Sequence, residues 1–219
     1  MEQFLHYYQA LMATHEARQW RQDYKAFFEV VQGVRNRLDE GAHLDPAIPE
    51  DYDFLKRLLF DNCNGIANRG RPPMNEEDLR FLLGQEDFMF SLEAFIRAPS
   101  ACHFDSFKEA WDRLLLGRRG NRALLLANRT AAACTTDVST TPQHDKFNQV
   151  FSWLNTHYPE LGLDEYNGDY ENWFSKNVFL MRKINAALDD ARMDRTEAIY
   201  DAFSASIFPW TVVAHERII

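Results

Sequence analysis

Apolar residues recur at three- and four-residue steps along most of the chain, the spacing that gathers them on one face of an α-helix. Phe4, Leu5, Tyr8, Leu11 and Met12 set out a short amphipathic helix. Trp20, Tyr24, Phe27, Phe28, Val31, Val34 and Leu38 set out a longer one, with Gly41 as its stop. After Pro46 and Pro49 the step resumes at Tyr52, Leu55, Leu58 and Leu59 and ends at Asn64-Gly65. Residues 68–75 (NRGRPPMN) read as a loop, because consecutive prolines cannot extend a helix. Asn75 then caps a helix whose first turn holds Glu76, Glu77 and Asp78, where carboxylates suit the positive end of the dipole.

The same reading gives helices at about 86–97 and 106–116, the second opened by Asp105 or Ser106, and a break at Gly117-Arg118-Arg119-Gly120. An Ala/Leu-rich helix runs from Asn121 to about Ala133. Thr141-Pro142 forms a cap-plus-first-position signature for a helix carrying Phe147, Val150, Phe151 and Leu154. Two more helices fall at about 172–188 and 194–206, and the only β-like pieces are 135–140 and 210–213. The expected fold is mainly α: an irregular multi-helix bundle of about ten helices with negligible strand and no internal repeat. It reads as a single helical domain over 1–219, with a subdivision into 1–100 and 101–219 as the alternative.

Composition narrows the class of protein. The 219 residues are 46% hydrophobic and 26% charged, which suits a globular chain and excludes a disordered one. A chain of this length buries roughly 70% of its unfolded surface and needs no disulfide or metal to hold a core. Cys63, Cys102 and Cys134 are odd in number and form no CxxC pair, so a reducing cytoplasmic location is expected. The N-terminus has no basic segment ahead of an apolar run and is not a signal peptide, and no apolar stretch approaches the ~20 residues that span a bilayer. With 24 Lys+Arg against 33 Asp+Glu, the net charge of −9 excludes a protein that coats nucleic acid or an anionic membrane over its whole surface.

Local charge departs from that average. Residues 97–130 hold seven bases, six of them arginine, against three acids, a local +4. Arginine suits planar recognition of phosphate, so Arg113, Arg118, Arg119, Arg122 and Arg129 are candidate anion contacts, with Arg118 and Arg119 just ahead of a helix start. The alternative is a salt-bridge set with the C-terminal part, residues 131–219, which carries −6. Arg69-Gly70-Arg71-Pro72 resembles the core of a minor-groove AT-hook, but the Glu76-Glu77-Asp78 run beside it repels phosphate, which leaves an ordinary turn or a single phosphate contact. Asp190, Asp194, Glu197 and Asp201 fall at i, i+4, i+7 and i+11 and would form one acidic helical stripe, read as solvated or partner-facing rather than metal-binding. Trp153, Tyr166, Tyr170 and Trp173 are the aromatics that could stack a base if exposed. No P-loop, HExxH, CxxC or nucleophile spacing occurs, so neither catalysis, metal nor cofactor is indicated.

Asn121-Arg122, Val138-Ser139-Thr140-Thr141, Phe147-Asn148, Val150-Phe151, Trp153-Leu154, Trp173-Phe174 and Lys176-Asn177 together resemble a helical stretch that precedes the AAA+ module in McrB-type modification-dependent restriction proteins. The resemblance spans about residues 121–188 and assigns no role to any single residue. It implies a non-enzymatic recognition or assembly region of a restriction or anti-phage defence protein, with DNA and an AAA+ or nuclease subunit as partners. The other expectation, from the residues alone, is an acidic helical protein-protein adaptor that binds no nucleic acid.

Overall fold

The computed structural model describes residues 1–61, 66, 75–119, 123–169 and 171–217, excepting the side chains of 116–119 and 123–124. Ten α-helices occur among them: α1 (Glu2–Met12), α2 (His15–Asp39), α3 (Pro49–Leu59), α4 (Glu76–Leu83), α5 (Glu86–Arg97), α6 (Ala101–Arg119), α7 (Ala123–Cys134), α8 (His144–His157), α9 (Trp173–Asp190) and α10 (Ala202–His215). Two short 3-10 turns, Pro159–Leu161 and Leu163–Glu165, join α8 to α9, and there is no strand among the described residues. The mainly-α expectation holds.

Local chemistry explains most of the boundaries. Thr14 closes α1 and opens α2: its hydroxyl donates to the Leu11 carbonyl at 2.8 Å and accepts the Ala17 N–H at 3.2 Å. At the other end of α2, Gly41 takes a φ of 90°, and the N–H groups of Gly41 and Ala42 return to the carbonyls of Leu38 and Arg37. That is a Schellman stop, and the positive φ is what requires glycine there. Asn75 and Asp78 cap α4 reciprocally, each side chain accepting the other's backbone N–H.

Three boundaries differ from the sequence reading. α6 starts at Ala101 and continues through Gly117 to Arg119 instead of breaking at 117. α8 is capped at Gln143, not at Thr141-Pro142, because Ser139, Thr140 and Thr141 lie at 0% exposure in a buried loop and the Pro142 carbonyl accepts Asn128 Nδ2 at 2.8 Å. α10 lies at 202–215 rather than 194–206, and it passes through both Pro209 and the β-like run 210–213. Ala205, Ile207, Phe208 and Val212 of this helix are fully buried, so tertiary burial outweighs the β-branched propensity.

Pro209 has a use in the packing. Its ring crowds the preceding turn and it brings no N–H to the ladder. In that turn the Ser206 carbonyl accepts Thr140 N–H at 3.0 Å, and Ser206 Oγ donates to the Val138 carbonyl at 2.6 Å. The buried 135–143 loop is thereby hydrogen-bonded to α10 where a strand partner would otherwise be needed.

One core runs through both halves of the chain. α2 packs against α5, α7 and α10, and α10 packs against α1, α8 and α9, so no division at residue 100 is seen in the packing. α2 also caps α7. Tyr24 Oη donates to the Ala132 and Thr135 carbonyls at 2.7 and 3.2 Å, while Arg35 donates to the carbonyls of Cys134 at 2.6 Å and Ile96 at 2.7 Å. These are the orphan acceptors at the C-terminal ends of α7 and α5, where a cation is also favoured by the dipole.

Burial pushes the Cys134 thiol up to about 12, with the nearby Arg35 opposing the shift, whereas Cys102 is exposed. In a Cys63→Ser background, Ellman's reagent is expected to label one thiol rapidly in the native protein and a second only on unfolding. Rapid labelling of both would mean that the α7 end is not sealed as described.

Candidate functional site

Ser139, Thr141, Asn148, Trp173, Lys176 and Asn177, six of the residues on which the resemblance was noted, meet in space inside the protein, whereas Asn121 and Arg122 lie outside the described residues. Ser139 N–H donates to Asn177 Oδ1 at 2.7 Å, Trp173 Nε1 donates to the Thr141 carbonyl at 3.1 Å, and Lys176 Nζ donates to Asn148 Oδ1 at 2.7 Å. Lys176 lies 3% exposed, 4.5 Å from the Phe151 ring centroid, and burial lowers its pKa while Glu171 opposes the shift. Letters that looked like a recognition signature therefore build a buried polar seam between the 135–143 loop and helices α8 and α9.

This decides several candidates. Trp173 is 2% exposed and Tyr166 9%, with Tyr166 Oη donating to the Asp169 carbonyl, so neither presents a face on which a base could stack. Trp153 is half-buried and stacks on His157 at 4.2 Å between centroids. Tyr170 lies outside the described residues.

The arginine stretch is also less free than its count implies. Arg129 is 2% exposed and donates to the Asp61 carbonyl at 3.2 Å, so it is a core residue rather than a surface contact. Arg97 donates to the Leu38 carbonyl at 3.0 Å beside Asp39, Lys108 pairs with Asp112 at 2.5 Å, and Arg113 pairs with Asp87 at 3.1 Å. Such surface pairs contribute only about 0–1 kcal/mol and can be exchanged, but two of them bring acids from other helices, Asp39 of α2 and Asp87 of α5, into the local +4. The side chains of Arg118 and Arg119, and all of Arg69, Arg71 and Arg122, lie outside the described residues.

The acidic stripe does not form as one helical face. Asp190 ends α9, residues 191–200 are turns with Arg192 at a φ of 54°, and Asp201 caps α10. Asp194 accepts both the N–H and the hydroxyl of Thr196, which hold its carboxyl below the usual range. Asp201 accepts Ser204 N–H at 2.8 Å and pairs with Arg21 of α2. A helix from about 194 to 206 with the four acids on one face was expected; the Asx turn at Asp194 and the positive φ of Arg192 replace its first part. No group of three or more His, Cys, Asp or Glu residues is placed to hold a metal ion among the described residues. Among those residues, too, no helix is long and apolar enough to cross a membrane.

What the sequence did not signal is a groove of about 870 Å³ between α1, the C-terminal end of α8 and the 191–200 turns. Leu5, Tyr7, Ala10, Tyr158 and Met193 supply its apolar wall, and Glu2, Gln3, His6, Gln9 and His157 its polar one. Tyr7 is the hinge of an aromatic cluster, 5.5 Å from both Trp153 and Tyr158, and its hydroxyl donates to Glu216 at 2.6 Å. Burial raises the Tyr7 phenol well above its usual range, and the hydrogen bond and charge of Glu216 add to that. Burial also raises Tyr158, with the carboxylates of Glu216 and Glu160 contributing. Glu160 is itself paired with the N-terminal ammonium at 3.0 Å, so the rim of the groove carries charge of both signs. The local signal for this groove is slight: Leu5 and Tyr7 flank the buried stripe of Phe4, Tyr8, Leu11 and Met12 on α1, one more apolar pair than the core needs.

No family model, curated protein or solved structure matches this chain.

Proposed function

We propose that the chain is a non-enzymatic module that binds another protein through the α1–α8 groove. The observation that carries this is the coincidence of a large, aromatic-lined, partly apolar groove with an arginine stretch whose described members are buried or paired. Concave sites with apolar walls and a few polar groups suit ligand or peptide capture. Nothing in the groove supplies a nucleophile–base pair. On the McrB-type resemblance of residues 121–188, the module would serve assembly of a restriction or defence complex, its partner being an AAA+ or nuclease subunit. The free thiols of Cys102 and Cys134 suit a reducing cytoplasm.

The test is selection from a random peptide library on the wild-type chain and on Ala10→Trp, which fills the groove from an exposed position. Peptides enriched by the wild type and lost by the variant are expected. In parallel, a labelled 30-base-pair duplex at low salt is expected to bind weakly or not at all. Duplex binding that falls steeply with salt and disappears in Arg118→Glu/Arg119→Glu would replace the protein-binding reading with the DNA one.

A further inference from the structure

The buried loop at residues 139–142 is fixed by groups from three helices. Asn128 Nδ2 of α7 donates to the Pro142 carbonyl at 2.8 Å, and Asn177 Oδ1 of α9 accepts Ser139 N–H at 2.7 Å. Trp173 Nε1 donates to the Thr141 carbonyl at 3.1 Å, and the Ser206 carbonyl of α10 accepts Thr140 N–H at 3.0 Å. These bonds settle which end of each asparagine amide faces the loop backbone. The opposite ends, Asn128 Oδ1 and Asn177 Nδ2, are left over, as are the hydroxyls of Thr140 and Thr141. All four are buried atoms with no hydrogen-bond partner among the described residues, and the residues that carry them are 0% exposed.

Buried polar groups in folded proteins are nearly always satisfied, and ordered water is the usual partner where no protein group serves. The chemistry of this set narrows the guest further. One atom can only accept, one group can only donate, and two hydroxyls can do either. A cation would leave the Asn177 amide N–H unmet, and an anion would leave the Asn128 carbonyl unmet. Water donates and accepts in equal measure. The full burial of these residues also offers no mouth to a larger ligand. The seam's own cation, Lys176, already donates to Asn148 Oδ1 at 2.7 Å.

We propose that the 139–142 loop is docked through internal water, bound between the Thr140 and Thr141 hydroxyls and the free amide ends of Asn128 and Asn177. The loop is then joined to α7 and α9 by solvent as well as by the direct bonds, whatever the groove binds. Magnetic relaxation dispersion of the water oxygen counts solvent molecules held for longer than the protein tumbles. It is measured on the full chain and on Thr140→Val and Thr141→Val, with circular dichroism confirming that each variant stays folded. Neither hydroxyl makes a direct bond, so neither substitution breaks one. Loss of at least one long-lived water is expected in one or both variants, with a lowered urea midpoint where it is lost. An unchanged count in both overturns the proposal, and so does a raised midpoint in both, the sign expected when a dry, unmet hydroxyl is removed. A crystal structure of the wild-type chain tests the same point without a variant. Solvent within about 3.2 Å of at least two of the four atoms is expected; a dry seam, or four atoms bonded directly to protein groups, overturns the proposal.

Discussion

Trp173→Ala is expected to destabilise the protein by about 3–5 kcal/mol, the range for removing a fully buried large aromatic. Against a total stability of roughly 5–15 kcal/mol for a domain, that is enough to leave much of the population unfolded at moderate denaturant. Trp173 touches Phe104 of α6 and Phe147 of α8, at 6.1 Å between centroids in each case, and donates its indole N–H to the Thr141 carbonyl. Its loss therefore opens a cavity and leaves a buried acceptor unmet. Trp173→Phe keeps most of the volume and should cost about 1–2 kcal/mol, chiefly for that acceptor. Urea unfolding followed by circular dichroism measures both. A Trp173→Ala protein with an unchanged midpoint would mean that the ring is not a core element and would return it to the base-stacking candidates.

The second large effect is expected at Arg35. Arg35→Met keeps an aliphatic stem but leaves the carbonyls of Ile96 and Cys134 without their charged donor. Hydrogen bonds to a charged group contribute about 1.5–3 kcal/mol each, and two lost together are expected to cost roughly 2–4 kcal/mol once partial rehydration is allowed for. Arg35→Lys should recover little, because a single ammonium cannot reproduce the fork that reaches the ends of both α5 and α7. The same unfolding experiment decides this: full recovery by lysine would show that charge near the two helix ends matters, and not the paired geometry.

How far the sequence carried the structure depended on how local each feature was. The helices of Phe4–Met12, Tyr24–Leu38 and Trp173–Leu188 were legible because their burial follows a 3.6-residue period, and the stops at Gly41 and the cap at Asn75 because each is made within a few residues. The helix at 202–215 was not legible, since its all-round burial erases the amphipathic period and its Pro209 imitates a terminus. Charge spacing misled at Asp190–Asp201, where i, i+4 arithmetic assumes the helix that it is used to infer. Arg129 looked like surface charge because sequence does not show that its guanidinium reaches the end of α3. The groove joins residues near position 5 to residues near 158 and 193, a juxtaposition no local pattern encodes.

Helix α10 carries a consequence for the order of events in folding. It supplies Phe208 against Phe4 and Tyr8 of α1, Asp201 to Arg21 of α2, and Ser206 to the buried loop. The earliest helices of the chain thus find their packing partners some two hundred positions later, and loops of that span must close before those contacts reward the closure. During synthesis α2 can meet α5 and α7 early, but α1 and the face of α2 that meets α10 stay uncovered until the segment Ala202–His215 has emerged, which makes the nascent chain, and not the finished protein, the form most dependent on chaperones.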